Sequence, residues 1–208
     1  MSESSIDMTN LLARIQWATI PYVNGLTYNV KKTDTQNAKQ IREGAQATEK
    51  TWGNQMIGQS HNGNWTTVLG EHMVRDILTL RGENPRRPQG KGGYSPDWET
   101  DEYMYEVKTR NWTTSGTAGE KVLGTMYKYS DIPVLYGKPL RIVCVAYQEY
   151  ELSNGTTQIF GDVSENKRKF LDLAKSMDVE YLKFSELVSS VACLQETPGS
   201  ADDSMDIV

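Results

Sequence analysis

The sequence predicts an α/β fold, a central mixed β-sheet flanked by helices, and three observations lead there. Residues 103–110 alternate in character as a strand with two different faces does. Residues 140–147 form an almost continuous apolar run, the pattern of a strand covered on both sides. Between them, residues 119–129 read as a helix, which makes the unit a β-α-β crossover and the two strands a parallel pair. With 208 residues, 38% of them hydrophobic and 24% charged, the chain has material for one ordinary core.

Each element can be justified in order. Residues 8–15 carry Leu11, Leu12 and Ile15 at helical spacing, and residues 36–51 fit a second, polar helix. Between Trp52 and Trp65, Gly, Asn, Gln and Ser dominate, which predicts a loop; the His61-Asn62 pair belongs to that polarity. Residues 67–80 form the clearest helix. At about 100° per residue, Leu69, Gly70, Met73, Val74, Ile77, Leu78 and Leu80 fill one arc, and Gly82 follows where a C-terminal cap belongs. Glu71 falls about 20° outside that arc, at the margin of the core face. In the next strand Tyr103, Tyr105, Val107 and Thr109 share one face, and Met104, Glu106, Lys108 and Arg110 the other. Residues 167–177 predict a helix and 179–184 a short strand, after which Ser185 is expected to cap a last helix through Val191.

This divides the chain into a helical and loop extension of the same domain (1–65), a core (66–194) and an acidic, small-residue tail expected to be disordered (195–208). The net charge of −5 argues against a protein that merely coats nucleic acid, but its distribution is uneven. Residues 81–93 hold Arg81, Arg86, Arg87 and Lys91 against Glu83, whereas 97–106 hold Asp97, Glu99, Asp101, Glu102 and Glu106 with no basic residue. No run of 18 apolar residues exists, which excludes a spanning helix. The acidic, polar start is unlike a secretory signal. Cys144 sits inside an apolar run, as a small core residue does, and Cys193 is its only fellow. The expectation is a reduced, cytoplasmic protein.

The chemistry concentrates in Ser95-Pro96-Asp97 through Glu106-Val107-Lys108. A hairpin turning about Asp101-Glu102 sets Asp97 across from Glu106, with Cβ atoms about 5 Å apart. Glu106 and Lys108 share that face by period two. Two carboxylates and an ammonium thus converge. Hard carboxylate oxygens select Mg2+, with Mn2+ able to substitute, and such an ion suits phosphodiester hydrolysis. Lys108 is placed to orient water and stabilise the transition state, and Val107 pins the strand to the core.

Pro96-Asp97, eight intervening residues, then Glu106-Val107-Lys108 resembles the signature of the PD-(D/E)xK nuclease superfamily, most like a type II restriction endonuclease. The resemblance covers roughly residues 67–147. It implies a restriction-endonuclease-like core, cleavage of double-stranded DNA with 5′-phosphate ends, and a homodimer acting on two antiparallel strands. It also implies an acidic residue on the helix before the hairpin, the position Glu71 occupies as a further metal-shell candidate. Residues 1–65 then have DNA recognition or dimerisation as candidate roles. Arg86, Arg87, Lys91, Arg110 and Lys121 are the candidate DNA contacts, and a Gly-rich stretch before Lys121 could add backbone amides. Two alternatives stay open: a structure-specific repair or recombination nuclease of the same superfamily, and a catalytically inert DNA-binding protein.

Overall fold

The computed structural model describes residues 6–20, 36–60, 63–113 and 118–191. The tail, Cys193, His61-Asn62 and residues 114–117 of the Gly-containing stretch before Lys121 lie outside them. The elements are α1 (Met8–Thr19), α2 (Gln36–Ile57), α3 (Trp65–Leu80), β1 (Trp98–Glu99), β2 (Met104–Arg110), α4 (Ala118–Lys128), α5 (Ile132–Tyr136), β3 (Leu140–Ala146), α6 (Tyr147–Asn154), α7 (Glu165–Ser176), β4 (Val179–Lys183) and α8 (Phe184–Ser189).

The strands form one mixed sheet in the order β1-β2-β3-β4. β1 and β2 are the antiparallel hairpin, and β2 runs parallel to β3 across α4 as expected. β4 adds a second parallel pair beside β3. The continuous apolar character of β3 is explained by its surroundings. Val143 and Val145 enter a core shared with α1, α3 and α8, while Leu140, Ile142 and Cys144 enter a second core beneath α4, α5, α6 and α7. β2 divides the same way: Tyr105 and Val107 face the first core and Met104 the second. Helices therefore cover both faces, and α1 and α3 close one side together.

Three expectations need correction. The loop between Trp52 and Trp65 is in part helix, because α2 runs on to Ile57. Gly53 is there for a close approach: a Cβ on it would lie 2.2 Å from the Trp65 ring. Residue 147 begins α6 rather than ending a strand, after a sharp turn at Ala146 with φ 57° and ψ −129°. Ser185 does not cap the last helix from outside. It lies within α8, where the Glu149 carboxylate accepts its N–H at 3.0 Å and its hydroxyl at 2.5 Å. Gly82 does follow α3 as a cap, with the Glu83 N–H closing on the Leu78 carbonyl at 3.0 Å.

Candidate active site

Hairpin register decides the site. Trp98 pairs with Tyr105 and Glu99 with Met104, so Asp97, just before β1, stands opposite Glu106. Asp97 Oδ2 accepts the Val107 N–H at 2.7 Å, which fixes the acid to the strand that carries its partners. Glu106 is only 4% exposed. Lys108 Nζ reaches its Oε1 at 2.5 Å, while its Oε2 is buried without any hydrogen bond. A buried, unsatisfied carboxylate oxygen is costly unless something cationic meets it.

Electrostatics report the same crowding. The Asp97 carboxyl is pushed up to about 7, first by burial and next by the Glu106 carboxylate, with Glu71 adding to both. The Val107 N–H and Lys108 pull the other way without winning. Tyr129 borders the patch from the second core, and its hydroxyl is pushed up to about 12 by burial and then by Glu106. The Lys108 ammonium lies 5.8 Å over its ring.

α3 brings Glu71 to the margin. Gly70 lets the helix press on β2 so closely that a Cβ would lie 1.7 Å from Thr109 Oγ1. The Glu71 carbonyl accepts the Trp98 indole N–H at 2.9 Å, locking helix to hairpin. Its carboxylate pairs with Arg87, whose guanidinium also donates to the Asp97 carbonyl at 2.9 Å and lies 4.1 Å over the Trp98 ring. Glu71 thus influences Asp97 while engaged by Arg87. Among the described residues, no three carboxylate, imidazole or thiolate groups stand together as a ready-made cation cage. Two donors nonetheless suit Mg2+: the unused Glu106 Oε2, and Asp97 Oδ1 at 3.9 Å from Arg87 Nη1.

The expected DNA contacts separate. Arg86 is paired with Glu99 and Asp101, and Lys138 also meets Glu99, so the acidic hairpin neutralises part of the basic loop. Lys91 lies over the Tyr136 ring at 4.8 Å. Arg110 is corrected: it is 5% exposed, pairs with Glu151 at 2.5 Å and lies 4.7 Å over the Tyr147 ring, so it is no surface phosphate contact. Lys121 is exposed on α4, beside Lys108 in a shared cleft.

Sequence reasoning missed Glu49. Buried on the polar α2, it accepts the Trp17 indole N–H at 3.0 Å and the backbone N–H groups of Trp112 and Thr113 at 2.9 and 3.1 Å. It anchors the chain where it leaves β2. Nothing local marks it, since its partners lie 32 to 64 residues away. Comparison of the chain with protein-family models, with curated proteins and with solved structures finds no match in any of the three.

Proposed function

We propose that this protein is a Mg2+-dependent endonuclease of restriction-endonuclease-like fold that hydrolyses double-stranded DNA, most like a type II restriction enzyme. The observation that carries the reading is the convergence of Asp97, Glu106 and Lys108, with a buried Glu106 oxygen left free of hydrogen bonds. Asp97 and Glu106 would hold the ion, which supplies charge neutralisation and Lewis acidity at the phosphate. The chain's own residues do the rest. The Val107 N–H keeps Asp97 from turning away. Lys108, released from Glu106, donates to the attacking water or a phosphate oxygen where negative charge grows. Val107, buried in the first core, prevents the strand from yielding under that load.

Supercoiled plasmid incubated with and without Mg2+ tests the reading. Discrete, metal-dependent fragments support it, and fragment ends should carry 5′-phosphate. Nicks confined to junctions or flaps favour a structure-specific nuclease instead, and intact plasmid under all conditions removes the activity. A type II enzyme would work as a homodimer, so sedimentation on DNA should give two copies per site.

A further inference from the structure

A shallow cleft of about 390 Å³ opens on α4 beside the candidate site. Lys108, Lys121 and Lys128 rim it, and Val122, Gly124 and the Tyr129 ring lie among them. Among the described residues no carboxylate lines it, and the one its Lys108 pairs with, Glu106, belongs to the neighbouring patch, in a chain whose net charge is −5. The geometry around Tyr129 is set: Lys128 Nζ donates to its hydroxyl at 3.0 Å and lies 4.6 Å over its ring, and Lys108 approaches the same ring at 5.8 Å. A Cβ on Gly124 would meet nothing, so the wall is open there.

We infer that this cleft is a phosphate-binding subsite for the nucleic-acid strand that is cut. The inference rests on the nuclease reading, because the cleft shares Lys108 with the carboxylate patch and its occupant must be continuous with the substrate there. A phosphodiester polymer meets that demand. Its next phosphates carry charge to Lys121 and Lys128 while sugar lies over Val122 and the Tyr129 ring. A compact anion would leave either the lysines or the apolar floor unused.

The test replaces Lys121 and Lys128 together (Lys121→Gln, Lys128→Gln) in the whole chain. Binding of a short labelled duplex is followed by fluorescence anisotropy from low to moderate salt, with EDTA to prevent cutting. Each lost phosphate contact lowers the slope of log affinity against log salt by about 0.9, so the double variant should lose about 1.8. The pair Lys169→Gln, Lys175→Gln on α7, outside the cleft lining, should keep the wild-type slope. Equal slopes for wild type and the Lys121, Lys128 variant overturn the subsite, as does a wild type that binds no duplex. Mg2+-dependent cleavage by wild type, assayed in parallel, keeps the two readings apart. Cleavage with an unaltered slope removes only the cleft, and a reduced slope without cleavage keeps the cleft and removes the nuclease.

Discussion

Asp97 keeps its proton to about pH 7 because burial and Glu106 both oppose its charge, and the folded protein carries that opposition as a cost. Its ordinary value is 3.8, so between about pH 4 and 7 the folded chain binds more protons than the unfolded one. Stability associated with this group is therefore full at low pH and declines as pH rises through that window. Asp97→Asn should escape the decline, since an amide oxygen can still accept the Val107 N–H. In metal-free buffer it should exceed wild type by on the order of 2 kcal/mol near pH 8 and match it near pH 4. Denaturant melts that run parallel across pH would show that the two acids are not crowded. The same substitution, or Glu106→Gln, should abolish cleavage while DNA binding persists. Lys108→Ala should slow single-turnover cleavage by on the order of 10²-fold, and a rate near that of wild type would remove its role. These three residues were legible because strand periodicity and a turn fix their relation within one short segment. Tyr129 was not, and Arg87 was read as a DNA contact and not as the partner of Glu71 and Asp97, because other loops bring both to the same patch.

At the scale of elements, the contact between α3 and β2 is the one with least slack. Gly70→Ala would drive a methyl into Thr109, so stability should fall by about 2 to 3 kcal/mol by urea titration. A loss under about 0.5 kcal/mol would mean that helix and strand part easily. Ala146 offers the opposite case. Its φ of 57° holds an L residue where the backbone is strained, at the join between β3 and α6. Ala146→Gly should raise stability by about 1 kcal/mol, against the usual cost of glycine. The hairpin and the crossover could be read from local pattern, whereas the place of β4 beside β3 could not, because no short-range signal says which strand it pairs with. α5 and α6 could not, since α5 is a brief turn of helix and α6 follows its strand with no loop to announce it. Gly53 misled for a related reason: the neighbour it makes room for, Trp65, belongs to the next helix.

For the molecule as a whole, α1 and α2 are part of the fold's closure. Leu11 and Trp17 lie in the same core as α3 and β2, and Glu49 and Trp17 together hold the end of β2, where Trp112 Nε1 donates to the Trp17 carbonyl at 2.7 Å. Glu49→Ala would strand the N–H groups of Trp112 and Thr113, and about 3 kcal/mol of stability should go with it. A melt unchanged by that substitution would show that water replaces the carboxylate. These long-range ties also set an order in time. Trp17 and Glu49 leave the ribosome well before residues 112 and 113, and at about 5 to 20 residues per second the wait from Glu49 to Thr113 is on the order of 3 to 13 seconds. During it, α1 and α2 have only each other and α3 to pack on, and the apolar side that Val107, Val143 and Val145 later cover stays open. The nascent chain should accordingly be at its most aggregation-prone just before β2 emerges, and slowing its translation there should lower the soluble yield.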